Sequence, residues 1–275
     1  MDGTLLDPDG ELRPRVRDAV RRTLDSGVLV TLATGRRFDT ASAVANELGL
    51  ELPLVLHGGT IIQDSATGEV LYEDSMSREL LREVIDEILC YGQQPVLYTS
   101  PVVGDVLLSG PPEYDSAATA RYLGAKTAVR RLPHAELPFA EHVVSVAALH
   151  DDDVLRPLYE ALNARPTCAA LLWEPDPVYK YDIDYLIDIV NPDCSKSKAL
   201  AHLAARYGIT LDEVMAIGDQ VNDLQLIERV GLGVAMGNAI PAVQERAKVV
   251  VGTNAEDGVA EALHRFVLNG DDARG

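Results

Sequence analysis

Carboxylate and amide side chains directly follow one of the apolar runs in this sequence. The segment G-D-Q-V-N-D (218–223) comes after the run Val214–Ile217. Its spacing places Asp219, Asn222 and Asp223 on one face of a following helix. Oxygen atoms in this arrangement suit a hard divalent cation or a phosphoryl group. A single acidic residue would also serve as an ordinary helix N-terminus, so the spacing alone leaves both interpretations open.

Two lysines stand where a helix disfavours positive charge. Ser195 is predicted to cap a helix that begins at Lys196, which places Lys196 and Lys198 in the first turn. A cation at the positive end of a helix dipole costs about 0.3–1 kcal/mol. An anion bound beside Lys196 would offset that cost, whereas lysines that point into solvent would avoid most of it. The first alternative predicts a phosphate-binding function and the second predicts none.

Two further loops have turn residues that are compatible with chemistry. T-G-R (34–36) follows the apolar run Val28–Ala33, and a Thr-Gly pair after a strand is ordinary loop chemistry by itself. If this loop shares an edge of the sheet with Lys196 and Asp219, the Thr34 hydroxyl can donate to a phosphate oxygen. The N-terminal segment 1–10 contains two Asp-Gly turn signals, but it follows no apolar run.

The elements that must position these loops alternate between helical patterns and short apolar runs. Helices are predicted over Pro14–Ser26 and Phe38–Leu48, each with a glycine directly after its end. The runs Val28–Ala33 and Pro53–His57 have the composition of buried strands. This alternation implies parallel strands with helices on both faces of a sheet. Ligands bind such sheets at the carboxyl ends of the strands, where the polar loops lie.

The same alternation returns near the C-terminus, after a middle region of different texture. The C-terminal pattern predicts strands at 186–190, 214–217, 233–236 and 248–251, and helices at 196–207, 223–230, 239–247 and 256–268. The proline-rich middle has apolar runs spaced like antiparallel strands, at 95–99, 106–109, 143–149 and 169–173. We predict an α/β fold with a doubly wound, mostly parallel sheet and an inserted α+β domain. Residues 1–77 and 187–275 would form the core, and residues 78–186 the insertion.

Composition excludes several classes of protein. With 275 residues, 47% of them hydrophobic, the chain is long and apolar enough for one or two globular domains. The balance of 24 basic and 43 acidic residues gives a net charge of −19, which argues against a nucleic-acid partner. A local cationic site for a small phosphorylated substrate remains compatible with that charge.

The expected cellular compartment follows from the cysteines and from the absence of a membrane-span pattern and a signal-peptide pattern. The scattered Cys90, Cys168 and Cys194 suggest reduced, buried thiols. No run approaches the ~18 apolar residues of a membrane span, and the N-terminus has no signal-peptide pattern. The expected location is the cytoplasm, without a membrane partner.

Four motifs, taken in order, resemble those of the haloacid dehalogenase-like (HAD) superfamily of phosphatases. They are D-G-T-L-L (2–6), A-T-G-R (33–36), S-K-S-K-A-L (195–200) and G-D-Q-V-N-D (218–223). The tail segments A-M-G-N-A (235–239) and E-D-G-V-A (256–260) resemble the Cof-type branch, whose large α/β cap lies between motifs two and three. The resemblance covers the whole chain, and it implies a catalytic core with a cap that selects the substrate.

The resemblance implies Mg²⁺-dependent hydrolysis of small phosphorylated metabolites, of the sugar-phosphate or nucleotide type, through an aspartyl-phosphate. Lys196 matches the lysine that neutralises the nucleophile and the phosphoryl group. Thr34 matches the hydroxyl that binds phosphate, with Gly35 beside it, and Asn222 matches an amide that contacts phosphate. Charge neutralisation and fixed geometry are what phosphoryl transfer needs from a protein.

The acidic residues take the remaining roles that the resemblance implies. Asp219 matches the Mg²⁺ carboxylate, and Asp223 matches the second acidic support of the metal site. Asp2 matches the general acid and base, and its backbone carbonyl matches a further Mg²⁺ ligand. A carboxylate two residues from the nucleophile is within reach of the leaving oxygen as acid and then as base.

The sequence departs from the family pattern in two places. Motif one is D-x-D-G-T, and Met1 occupies the x, so the matching nucleophile would directly precede Met1. We expect the in-frame coding sequence upstream to encode a short apolar strand that ends in this aspartate. The second departure is H-G-G (57–59), where the branch has Asn-Gly. His57 is either a substrate contact or a solvent-facing turn residue, and Arg36 is a candidate contact to a second anionic group.

Two other interpretations compete with the phosphatase. A HAD-fold protein without a nucleophile would bind phosphate ligands or partners and catalyse nothing. An unrelated two-domain α/β binding protein fits the composition but not the ordered motifs. The presence of Lys196, Asp219, Asn222 and Asp223 together favours the phosphatase, because a non-catalytic protein has no need of the complete set.

Overall fold

Two compact units share the chain. The structure, a computed structural model, describes residues 1–175 and 185–268. Within these, residues 1–72 and 195–268 form the first unit, and residues 73–175 and 185–194 form the second. Residues 176–184 of the predicted insertion and residues 269–275 of the predicted core lie outside the described residues.

The helices and strands of the described chain follow in this order. The helices are α1 (Pro14–Asp25), α2 (Phe38–Leu48), α3 (Arg78–Cys90), α4 (Ala117–Gly124), α5 (Arg156–Asn163), α6 (Lys196–Arg206), α7 (Leu224–Arg229), α8 (Pro241–Arg246) and α9 (Gly258–Phe266). The strands are β1 (Leu54–Leu56), β2 (Ile61–Gln63), β3 (Val70–Glu73), β4 (Val96–Thr99), β5 (Leu107–Ser109), β6 (Val129–Arg131), β7 (Val143–His150), β8 (Ala169–Trp173), β9 (Tyr185–Val190), β10 (Met215–Gly218), β11 (Leu232–Ala235) and β12 (Val249–Val250).

The first two helices confirm the signals that predicted them. Helix α1 begins at Pro14 and buries Val16, Ala19 and Val20, whose spacing forms one apolar face. Helix α2 ends at Gly49, which adopts a left-handed conformation with φ +71° and lets its amide bond the last turn.

The first unit contains two separate three-stranded sheets. One has the order β1-β2-β3, with β1 and β2 antiparallel. The other has the order β10-β11-β12 and is parallel throughout. The parallel sheet confirms three of the predicted C-terminal strands, and the helices between them follow the predicted alternation.

The predicted strand Val28–Ala33 is wrong, since the structure has no strand over this run. The run pairs with β1 only through a single bridge between Ala33 and Val55, supported by the Val55 amide, which donates to Leu32 O at 2.9 Å. Val28 and Leu29 are 41% and 50% exposed. A buried strand needs partners on both edges. Within the described residues, no strand pairs with the second edge of this run or with the edge of β10 away from β11.

The second unit is built on one six-stranded sheet. Its order is β6-β5-β4-β7-β9-β8, and the predicted antiparallel runs of the insertion are four of its strands. Helices α3 and α5 contribute Leu81, Ile85 and Leu158 to the apolar core on the face that carries Ile187 and Ile189. Helix α4 packs on the opposite face with Ala118 and Leu123, among a smaller apolar cluster.

One predicted core strand belongs instead to this second sheet. Strand β9 pairs antiparallel with both β7 and β8, so residues 186–190 are not part of the core. In this strand the buried Ile187 and Ile189 alternate with Asp188, which is typical of a sheet with different surroundings on its two faces. The unit boundaries consequently fall at 72/73 and 194/195, rather than at the predicted 77/78 and 186/187.

Asp188 makes the stability of the second unit depend on pH. Burial raises the pKa of its carboxyl from an ordinary value near 3.8 to about 6, although a hydrogen bond with Ser145 lowers it. Because the folded state keeps a proton that the unfolded chain has released, stability falls as pH rises from about 4 to about 6. As pH rises from about 4 to about 6, we expect the free energy of unfolding of Asp188→Asn to increase by about 1–3 kcal/mol relative to that of the native chain.

Urea unfolding at pH 4 and pH 7, followed by circular dichroism, measures this difference. Asp86→Asn on the exposed side of α3 is the matched control and should show no such gain. If the free energies of unfolding of Asp188→Asn and the native chain differ by the same amount at both pH values, the Asp188 carboxyl does not titrate in this window.

Two expectations from composition can be compared with the structure. Cys168 is buried and Cys194 is half-buried, but Cys90 is exposed at the end of α3, so the expectation of buried thiols is wrong for that residue. No helix in the described part of the chain is long and apolar enough to cross a membrane.

Candidate active site

Lys196 and Asp223 form a buried ion pair in the first unit. Lys196 is 4% exposed, and its Nζ donates to Asp223 Oδ1 at 2.7 Å. Ser195 caps α6 as predicted, since its Oγ accepts from the Lys198 amide at 3.2 Å, while Lys198 itself is exposed. The anion that offsets the position of Lys196 in the first turn is thus supplied by the protein.

The second oxygen of Asp223 holds the loop that begins after β10. Asp223 Oδ2 accepts from the backbone amides of Asp219 at 3.1 Å and Gln220 at 3.2 Å. A Cβ atom at Gly218 would lie 2.6 Å from Asp223 Cβ, so only glycine allows this approach. Both carboxylate oxygens are therefore engaged by the protein itself.

Charges around this pair shift the pKa of Asp223. Burial by itself would raise it, but the Lys196 ammonium and the hydrogen bonds from Lys196 and the Asp219 amide oppose burial, and the pKa is lowered. Asp223 is consequently ionised at neutral pH.

Asp219 is connected to the N-terminal turn. Asp219 is 2% exposed, and its carboxylate accepts a hydrogen bond from Thr4 Oγ1. Its backbone oxygen accepts from the Ile240 amide at 3.0 Å, which fixes the loop after β10 against the start of α8. A buried carboxylate of this kind suits a hard cation or a phosphoryl-bound metal.

Asp2 and Arg36 are held together by two parallel hydrogen bonds. Arg36 Nε donates to Asp2 Oδ2 at 2.9 Å, and Nη2 donates to Oδ1. The Arg36 amide donates to Thr34 Oγ1 at 3.1 Å, so this arginine joins motif one to motif two. Its contact with a second anionic group of a substrate stays a prediction.

The H-G-G turn packs against the start of α6. The Gly58 amide donates to Thr34 O at 3.0 Å, and a Cβ atom at Gly59 would lie 2.4 Å from Ser195 O. His57 is buried, with φ +47°, and its amide donates to Arg36 O at 3.2 Å. The alternative of a solvent-facing histidine is therefore wrong, and its contact with substrate stays a prediction.

These contacts form a closed circuit through all four motifs. Each member touches the next directly or through a neighbouring residue. The circuit runs through Thr34, Gly58, Gly59, Lys196, Asp223, Asp219, Thr4, Asp2 and Arg36, and back to Thr34. Gly35 lies between Thr34 and Arg36, and Asn222 directly precedes Asp223, so both are sequence neighbours of circuit members. The structure thus brings together side chains that are distant in sequence, by 215 residues in the case of Thr4 and Asp219.

The close approach of Gly59 to α6 predicts a strong effect of a single methyl group. Gly59 has φ +110°, and its Cβ would also lie 2.7 Å from the Lys196 backbone nitrogen. We expect Gly59→Ala to destabilise the protein by about 2–4 kcal/mol, because it combines a glycine-only conformation with displaced backbone. Urea unfolding measures the free-energy change.

Gly58→Ala is the matched control for this substitution. Gly58 also has a positive φ of +67°, but a Cβ atom added there would meet no atom within 4 Å. It should cost only about 1 kcal/mol. Equal losses from the two alanines would mean that the contact with Ser195 and Lys196 is unimportant.

Among the predicted metal ligands, Asp219 has the carboxylate that best suits a hard cation. Asp219 offers a buried carboxylate and Asp2 a backbone carbonyl, which are the oxygen donors that Mg²⁺ prefers. Both carboxylate oxygens of Asp223 already accept hydrogen bonds from Lys196 and two backbone amides, so its role in binding a metal stays a prediction. Within the described residues, no three acidic, histidine or cysteine side chains converge as a ready metal cluster.

Sequence reasoning assigned no role to two asparagines that contact the N-terminal turn. Asn238 and Asn254 donate side-chain hydrogen bonds to Gly3 O and Leu6 O. Asn238 lies within the A-M-G-N-A segment that resembles the Cof-type tail, whereas Asn254 lies two residues before the E-D-G-V-A segment and had no signal of its own.

With this geometry established, the sequence can be assigned to a family. Residues 1–263 match the family of haloacid dehalogenase-like hydrolases, and the chain belongs to that family. The predicted superfamily is confirmed, and the chain is a hydrolase of the HAD phosphatase type.

Individual relatives match over nearly the whole chain. A 5-amino-6-(5-phospho-D-ribitylamino)uracil phosphatase, YwtE of Bacillus subtilis, is 28% identical over 97% of this chain and 96% of its own. The pyridoxal phosphate phosphatase YbhA of Escherichia coli is 27% identical over 98% of this chain and 97% of its own. The crystal structure of a haloacid dehalogenase-like hydrolase from Bacteroides thetaiotaomicron has a TM-score of 0.74 and 26% identity, covering 96% of each chain. This likeness confirms the predicted fold class.

Proposed function

We propose that this protein is a cytoplasmic, Mg²⁺-dependent phosphatase that hydrolyses small phosphorylated metabolites through an aspartyl-phosphate. The observation that carries the proposal is the closed circuit of contacts in the first unit, because it links a buried lysine, a buried carboxylate and a hydroxyl through a continuous set of contacts. The two relatives named above act on phosphorylated metabolites of different structure. Their shared feature is a phosphate ester, which is the group this circuit is suited to bind.

Three groups of this chain would hold the phosphoryl group. The Lys196 ammonium, already fixed by Asp223, neutralises its negative charge. The Thr34 hydroxyl donates to one phosphoryl oxygen, and the neighbouring Gly35 and the Asn222 amide contact others. Because Asp223 already fixes the Lys196 ammonium, this charge would stabilise the transition state without reorganising.

The nucleophile in this proposal is an aspartate directly before Met1, carried on a strand. Two features of the fold support a strand there. The run 28–33 and strand β10 each have an edge without a partner strand among the described residues. Half-exposed Val28 and Leu29 offer apolar side chains on the first of these segments. A strand between the two segments would satisfy both edges.

Asp2 would move the proton in both chemical steps. In the first step the nucleophile oxygen bonds to phosphorus, the ester P–O bond breaks, and Asp2 gives its proton to the leaving oxygen. In the second step Asp2 takes a proton from water, the water oxygen bonds to phosphorus, and the acyl-phosphate P–O bond breaks. Inorganic phosphate leaves and the nucleophile returns to its carboxylate form. Arg36 would keep Asp2 in place between the steps.

Asp219 and the Asp2 carbonyl would hold Mg²⁺, with Asp223 in support. The bound cation supplies neutralisation of phosphoryl charge and orientation of the substrate. The second unit, as the predicted cap, would select the organic part of the substrate.

Release of inorganic phosphate tests the proposal. The assay uses the extended chain, by which we mean these 275 residues preceded by the in-frame coding sequence upstream of Met1. We expect turnover of p-nitrophenyl phosphate and of pyridoxal phosphate with Mg²⁺, and its loss with EDTA. No phosphate release from any phosphate ester would favour the non-catalytic phosphate-binding alternative instead.

A further inference from the structure

Two asparagines outside the proposed catalytic set hold the backbone of the turn that carries Asp2. Asn238 Nδ2 donates to Gly3 O at 2.7 Å, and Asn254 Nδ2 donates to Leu6 O at 2.8 Å. Asn238 Oδ1 accepts from the Asn254 backbone amide at 2.9 Å. The two asparagines are therefore joined to each other and reach the turn at two points.

The turn is fixed on the other side of Asp2 as well. Met1 O accepts hydrogen bonds from three successive amides, at 3.4, 2.8 and 3.0 Å, which belong to Thr4, Leu5 and Leu6. Gly3 adopts a left-handed conformation with φ +68°. The carbonyls on both sides of Asp2 therefore accept hydrogen bonds, Met1 O from amides of the turn and Gly3 O from Asn238.

The loop that presents Asn254 is itself rigidly built. The Thr253 amide and hydroxyl donate to the Glu256 carboxylate at 3.2 and 2.9 Å. Asp257, with φ +62°, accepts from Arg13 Nε at 2.5 Å. Asn254 is buried, and leaving a buried amide without a hydrogen-bond partner costs free energy. Its bond to Leu6 O therefore stabilises this arrangement of the turn.

We infer that Asn238 and Asn254 are positioning residues that fix the backbone and carboxylate of Asp2 for proton transfer. The inference that they position a proton donor rests on the proposed function, whereas their hold on the turn does not. Small displacements of a catalytic group have large effects on rate, since a misplacement of about 1 Å can cost roughly 100-fold. Neither asparagine belongs to the closed circuit or to the residues proposed to bind phosphate, so substrate affinity should depend on them only weakly.

Hydrogen–deuterium exchange resolved to single amides tests the hold on the turn, using the 275-residue chain. Asn238→Asp and Asn254→Asp each remove the donor and keep the size and the accepting oxygen. We expect the amides of Thr4, Leu5 and Leu6 to exchange roughly 3- to 10-fold faster, as the loss of one hydrogen bond predicts. Asn238→Ala removes the same donor without adding charge, and should give the same direction of change.

Asn46→Asp on the exposed side of α2 is the matched control and should leave these amides unchanged. Amides in α6 report whether a variant is globally destabilised. Exchange at residues 4–6 that equals the control in all three variants overturns the inference. So does acceleration that is equally large in α6, because it would show general loosening.

The extended chain tests the consequence for proton transfer. We expect Asn238→Asp to lower kcat for p-nitrophenyl phosphate roughly ten- to hundred-fold with KM within about twofold. Faster exchange with an unchanged kcat would overturn the positioning role. An inactive native extended chain would instead contradict the proposed function, while the exchange result would still decide whether the asparagines hold the turn.

Discussion

Lys196→Met should lower kcat of the extended chain by about 10²–10³-fold. That is the usual effect of removing one preorganised electrostatic stabiliser from an active site. The side chain is buried and Asp223 holds its ammonium in place, so the methionine removes a charge whose position is fixed. Steady-state hydrolysis of p-nitrophenyl phosphate measures the change. Lys198→Met, two residues further along the same helix but exposed, is the matched control and should change kcat by less than about twofold.

The same substitution also removes half of a buried ion pair, which costs stability by itself. Leaving the Asp223 carboxylate buried without its lysine should cost about 3–5 kcal/mol. The double variant Lys196→Met with Asp223→Asn should recover most of this stability because it removes both charges. It should not recover activity. Recovery of both would mean that Lys196 acts only through folding, and equal kcat losses from Lys196 and Lys198 would contradict the assignment.

Asp219→Asn should remove both activity and stabilisation by Mg²⁺. The amide keeps an oxygen that can accept from Thr4 Oγ1, so the fold should persist. It lacks the negative charge that a hard cation requires. We expect a kcat loss on the order of 10³-fold, since a catalytic metal contributes several kcal/mol to the transition state.

Thermal melting of the extended chain supplies a readout that needs no turnover. Mg²⁺ at about 100 times its dissociation constant should stabilise the native chain by ~2.7 kcal/mol and Asp219→Asn by much less. Asp212→Asn, exposed in the segment before β10, is the control and should keep the full stabilisation. Equal melting temperatures with and without Mg²⁺ in the native chain would show that the metal assignment is wrong.

Much of the fold was predictable because local signals and the final structure agree. Pro14 and Gly49 mark helix ends that the structure confirms. The polar loops after strands led to Thr34, Lys196, Asp219 and Asp223, and the structure brings all four into one circuit. The shared edge of parallel strands explains only Asp219 and Asp223, which follow β10. Lys196 follows β9 of the second sheet, and Thr34 follows a run with one bridge to β1, so their place in the circuit depends on contacts that the strand pattern did not predict.

The rest depended on contacts between distant residues. No periodicity records that Arg36 pairs with Asp2, or that Asn238 reaches Gly3 O across 235 residues. The strand at 186–190 was placed in the wrong sheet because an apolar run does not say which neighbours it pairs with. Val28 and Leu29 were expected to be buried because their composition is that of a strand, but burial also requires partners on both edges.

A comparison of two chain lengths tests most directly whether this site transfers phosphoryl groups through a nucleophile ahead of Met1. Three proteins are assayed with p-nitrophenyl phosphate and Mg²⁺: the 275 residues alone, the extended chain, and the extended chain with the aspartate before Met1 changed to Asn. We predict turnover from the extended chain only, with a phosphoryl group trapped on that aspartate after acid quenching. Robust turnover from the 275 residues alone, or a coding sequence that places no aspartate before Met1, would contradict the proposed mechanism.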